Sequence, residues 1–123
     1  MNKELQRIKI AEACGWTAEQ DSEGYWRARD KSGNHTFELW ISESNVWSVG
    51  IPDYLNDLNA CDELINHMQT IGFDCVLVAE GPARCCTFID QERGIEFKVI
   101  TGRFTHSICE AFLKTLGLWE EEQ

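Results

Sequence analysis

Three groups of residues carry side chains whose type and spacing suit recognition or chemistry. The first is acidic. Asp53, Asp57, Asp62 and Glu63 lie along one amphipathic stretch, and Glu120, Glu121 and Glu122 stand near the end of the chain. Carboxylates so spaced act as phosphate surrogates toward the Lys and Arg of a basic protein, which makes the first four the candidate partner-binding residues. A solvated helix face gives the same pattern, with Asp53 and Asp57 favoured by the positive end of the helix dipole. The second group is aromatic and basic: Tyr25, Trp26, Trp40 and Trp47 surround an expected hairpin that also holds Arg27 and Arg29. Rings that stack on a base and arginines that pair with phosphate make a candidate ligand pocket for a small signalling nucleotide. Packing under the N-terminal helix, or against a second copy in a homodimer, is the alternative use of those rings.

The third group is sparse. His106 and Glu110 stand one helical turn apart, a pairing that also occurs as an ordinary surface hydrogen bond. His106-x-x-Cys109 is the nearest approach to a metal pair, and the chain has no CxxC. It also lacks GxSxG, HExxH and a Gly-rich phosphate loop. The expectation is therefore no catalytic residues, no metal and no other cofactor. The remaining thiols, Cys14, Cys61, Cys75, Cys85 and Cys86, read with Cys109 as free and mostly buried in a reducing compartment.

Charge narrows the partners. The 123 residues include 21 acids against 11 bases, for a net charge of −10. A phosphate-backbone binder gets its affinity from displaced counterions and needs the opposite sign. The αβββα order expected over 53–117 matches that of a double-stranded-RNA-binding domain, yet this segment holds ten acids against five bases. Direct nucleic-acid binding is excluded, as is an anionic membrane surface. No apolar run approaches the roughly 18 residues of a membrane span, and MNKELQRIKI lacks a signal-peptide core. A cytoplasmic location is expected. Residues 1–52 hold eight acids against six bases, so the aromatic half is close to neutral and able to accept an anion. The excess lies in 53–117 and the tail, where a host protein with a basic surface is the expected partner.

These residues need elements to position them. Periodicity and stop signals predict helices over 3–14, 54–71 and from about 105, with Gly15, Gly72 and Gly117 as stops and Pro52-Asp53 opening the central one. Strands are predicted at 25–30 and 35–41, joined across Lys31-Ser32-Gly33-Asn34, and at 73–79, 84–90 and 95–101 as a meander. The stretch around 46–49 reads as a short edge strand or a loop. The order is α-β-β-α-β-β-β-α: a single α+β domain over 1–123, an antiparallel sheet carrying three helices.

Three blocks, IAEACGWT at 10–17, IPDYLNDLNA at 51–60 and EAFLKTLGLWEE at 110–121, resemble small proteins of tailed bacteriophages and prophages similar to the phage ABA sandwich domain. The blocks fall on helix ends and faces. The resemblance implies an α/β/α sandwich and a phage origin, and it carries no activity to transfer. Three uses follow as expectations: a small acidic accessory protein that inhibits a host defence protein by stoichiometric binding, a sponge for a nucleotide immune signal, or a structural or regulatory phage domain.

Overall fold

The computed structural model describes residues 1–121. Helix α1 (Lys3–Ala13) begins where the Asn2 side chain accepts the Leu5 amide at 2.8 Å, one of the donors that a helix start leaves unpaired. It stops at Gly15, whose φ of +92° is a conformation L side chains rarely adopt. A Cβ there would also fall 2.7 Å from Lys31 Cβ. The turn folds Trp16 back over the helix, with its amide donating to the Ala11 carbonyl at 2.9 Å.

Strands β1 (Thr17–Gln20) and β2 (Trp26–Arg29) pair antiparallel. This corrects the expected hairpin of 25–30 with 35–41. Residues 35–41 return along β2 without forming a continuous strand: they meet it at two bridges, Trp26 with Trp40 and Arg29 with His35, and at Ala28, whose carbonyl accepts the Thr36 amide at 3.0 Å. Between these bridges β2 has two residues and the other segment has four, so the ladder loses register and Phe37 is thrown outward, fully exposed. The segment expected as a strand or loop around 46–49 is helical instead. A short α2 (Glu43–Asn45) runs into a π-helical turn at Val46–Gly50. Val46 is buried, and the Trp40 ring lies where a Cβ on Gly50 would meet it at 3.1 Å. Arg7 of α1 secures this turn by donating to the carbonyls of Ser48, Ile51 and Pro52.

Helix α3 (Leu58–Thr70) starts later than Pro52-Asp53 implies. Tyr54 and Leu55 are drawn into the core, and the chain turns to deliver them. The Asp53 carbonyl accepts the amides of Asn56 at 3.2 Å and Asp57 at 2.9 Å. Asp57 is the cap, its carboxylate accepting the Asn59 amide at 2.9 Å. The meander follows as read, with β3 (Asp74–Glu80), β4 (Ala83–Asp90) and β5 (Ile95–Thr101) in antiparallel order, and α4 (Phe104–Thr115) comes last. The α+β class and the order of elements agree with the sequence. The structure adds α2 and divides the strands into a two-stranded and a three-stranded sheet.

Helices α3 and α4 cover one face of the larger sheet. Leu64, Met68, Ile108 and Phe112 meet Cys86, Phe88 and Val99 in a core that also takes Ile10 and Tyr54. Each such side chain contributes on the order of 1.5–3 kcal/mol by leaving water. Val76, Val78 and Ile100, one position out of phase with the core-facing residues, point the other way and stay 40–59% exposed. That face is open to solvent.

The two candidate caps separate in a stability measurement. Asp57→Ala should cost about 1 kcal/mol in urea unfolding, whereas Asp53→Ala, at an exposed turn, should change it by less than about 0.5 kcal/mol. The reverse order would restore Asp53 as the helix start.

Candidate functional site

The four acids do not share one surface. Asp53, Asp57 and Asp62 are exposed. Asp53 accepts from Asn56 Nδ2 at 3.2 Å, Asp57 caps α3, and Asp62 has no hydrogen bond or ion pair with a described residue. Glu63 is a correction. Adjacent helix residues project about 100° apart, so while Asp62 faces solvent, Glu63 turns inward, accepting from Trp16 Nε1 at 2.9 Å and Tyr54 OH at 3.0 Å. It brackets the interior and is not offered to a partner. At the tail Glu120 pairs with Lys9 Nζ at 2.9 Å and Glu121 accepts from Trp119 Nε1 at 3.1 Å, while Glu122 lies outside the described residues.

Burial and the Glu63 charge together push the Tyr54 hydroxyl pKa up, and they push the Cys14 thiol up to about 12. Cys14 therefore stays a neutral thiol at physiological pH, without thiolate nucleophilicity. The six cysteines are free, with Cys14, Cys61, Cys86 and Cys109 buried.

The aromatic and basic residues do not converge either. Successive strand residues point to opposite faces, so Arg27 and Arg29 share one side of β2 while Trp26 takes the other. Glu19, opposite Arg27 on β1, accepts from Arg29 Nε at 2.7 Å and lies 3.6 Å from Arg27 Nε. The Arg29 hydrogen bond, with the charges of both arginines, holds the Glu19 carboxyl below its usual range. Trp40 bridges Trp26 and covers Gly50, Trp47 packs on the core with its indole N–H 3.5 Å from Glu43, and Tyr25 is exposed. The expected nucleotide pocket is not assembled: Trp26 and Trp40 lie on the face opposite the two arginines, Trp47 stands in the π-helical turn, and one carboxylate already sits between the cations.

The histidines are separate. Glu110 pairs with Lys114 at 3.2 Å rather than with His106. Desolvation, then the charges of Arg103 and Lys3, lower the His106 pKa; desolvation, then Lys31, lowers that of His67, whose ring lies 5.7 Å from Phe112. Among the described residues no three of His, Cys, Asp and Glu stand together as a metal-holding group, and no helix is long and apolar enough to cross a membrane.

The surface that sequence reasoning passed over is the outer face of the β3–β5 sheet. Asp74, Val76, Val78 and Glu80 alternate along it, next to Cys85 on β4 and Ile100 on β5, with Lys98 near the centre of β5. A signal was present. Cys75–Ala79 is apolar at every position, whereas a strand with one wet face should alternate. Comparison with models of known protein families, with curated proteins and with solved structures finds no match, so the site is read from its own geometry.

Two measurements test this placement. Glu63→Ala leaves the indole N–H of Trp16 and the hydroxyl of Tyr54 without their acceptor and should cost about 1–3 kcal/mol, while Glu63→Gln, which keeps an acceptor oxygen, should cost clearly less; equal stability of the Ala variant would return Glu63 to the surface. The second concerns pH. His67 and His106 lie below the ordinary value of 6.5 in the folded chain, so the unfolded chain takes up protons first. Stability held above pH 6.5 should be lost as pH falls through it. Thermal unfolding across neutral and mildly acid pH checks this, and His67→Gln with His106→Gln should flatten the dependence.

Proposed function

We propose that this chain is a small acidic accessory protein of phage or prophage type that binds a basic surface of a host protein in stoichiometric fashion and blocks it, acting in the bacterial cytoplasm. The observation that carries the reading is the state of the exposed acids. Ion pairs between described residues engage Glu19, Asp90, Glu110 and Glu120, whereas Asp53, Asp57 and Asp62 are exposed without a cation partner among them. Their negative potential remains free to steer and orient a basic protein. A host nuclease or effector of a defence system, which presents Lys and Arg to nucleic acid, has the complementary chemistry. The phage-like blocks, which carry caps and packing rather than catalysis, are consistent with a protein that works by occupancy.

The test is affinity capture from bacterial lysate at low and high salt, using the chain and its Asp53→Lys/Asp62→Lys variant; Asp57 is left alone because it caps α3. A basic host protein should be recovered in equimolar amount, and its activity should fall in proportion to added chain. The charge-reversed variant should associate about tenfold more slowly at low salt, with the difference vanishing as salt screens the field. Recovery of no such protein, or association indifferent to charge reversal, would sink the reading.

A further inference from the structure

The three-stranded sheet has two outer strands, β3 and β5, and they are built differently. β5 carries Glu96 and Lys98 near its middle, charges of the kind by which natural edges discourage a further strand. β3 has no charge between Asp74 and Glu80, only Cys75, Val76, Leu77, Val78 and Ala79. Val76, Leu77 and Val78 are 40–44% exposed. Its hydrogen-bonding partner among the described strands is β4 alone, on one side. Asp74 and Glu80 are exposed and share the outer face, six residues and so about 20 Å apart.

We propose that the β3 edge is the docking site for an extended segment of a partner protein, with a Lys or Arg at each end of an alternating apolar stretch, which adds to the sheet as a fourth strand. The proposal rests on the binding role above and names the surface that performs it. Charge selects the occupant. A second copy is disfavoured, because the antiparallel register that sets Leu77 opposite Leu77 places Asp74 of each copy across from Glu80 of the other, as two like-charge pairs. Each copy also carries a net charge of −10. A strand with cations six residues apart meets both carboxylates in that same register. Its outward apolar side chains would extend the surface of Val76 and Val78 that continues over the shallow depression formed by Val78, Cys85 and Ile100. Pairing also satisfies main-chain groups on the free side of β3, so affinity comes from the backbone and selectivity from the two ends.

The test uses a fluorescent synthetic peptide of alternating Val and Thr with Lys at two positions six residues apart. One control carries Glu at those positions, and another keeps the Lys but is N-methylated along its pairing edge. The Lys peptide should bind the chain about tenfold more tightly than the Glu peptide, N-methylation should abolish binding, and Asp74→Lys/Glu80→Lys should reverse the preference. Equal affinities, binding that survives N-methylation, or no binding of the Lys peptide overturns the proposal. So does a dimer by light scattering that Val76→Lys dissolves, which would assign the edge to a second copy. The broader role is read separately: host-protein capture that is lost on reversing Asp53 and Asp62 but unchanged in Asp74→Lys/Glu80→Lys would remove the β3 site and leave the binding role standing.

Discussion

Glu63 is a single carboxylate shared by three segments of the chain. Trp16 reaches it from the turn that ends α1, Tyr54 from the turn before α3, and Glu63 itself stands in α3. Tyr54 is the largest fully buried side chain, and a phenol taken out of water without an acceptor would be costly. The acceptor that makes its burial tolerable also takes the Trp16 indole, so α1 and the 52–57 turn are registered against α3 by the same group. Cys61 adds to the arrangement by donating its thiol to the Tyr54 carbonyl at 3.2 Å. The late start of α3 follows from this bracket, because in a helix running straight on from Pro52 the Tyr54 and Glu63 side chains would project about 180° apart, out of hydrogen-bond reach of one another.

With the long helices gathered round that bracket and the inner face of the sheet, the chain's apolar burial is one-sided. Antiparallel sheets commonly leave one face wet, and that face is then usually polar. Here Val76, Val78 and Ile100 occupy it, with acids at both ends of β3. An apolar centre with a charged rim is the composition of an interface, and the strong negative charge opposes self-association through it. Acidity and exposed apolar surface, which look unrelated in the composition, meet on this one face of the sheet.

Much of the fold is legible in the residues. Gly15 and Gly117 stop α1 and α4 where the apolar periodicity ends, and Gly81-Pro82 and Gly94 punctuate the meander. What escapes is set by tertiary contacts. Asp53 and Asp57 offer nearly the same local capping signal, and only the burial of Tyr54 and Leu55 decides between them. Strand β1 is short and polar, so no alternation marks it. It pairs with β2, whereas the apolar 35–41 segment loses register with two surplus residues. For the site, Asp62 outside and Glu63 inside lie within reach of helical geometry, and the separation of Trp26 from Arg27 and Arg29 follows from the strand period. The run Cys75–Ala79 reveals a strand apolar on both sides, but which side the helices leave open depends on how α3 and α4 pack.

A partner strand laid along β3, with its apolar middle and acidic ends, would shield the main chain of that strand. Hydrogen exchange of the chain alone and bound to its captured host partner tests this most directly. New protection should concentrate in the amides of Asp74–Glu80, with the 35–41 segment little changed. Protection confined to 35–41, with β3 exchanging as fast in the complex as in the free chain, would contradict it.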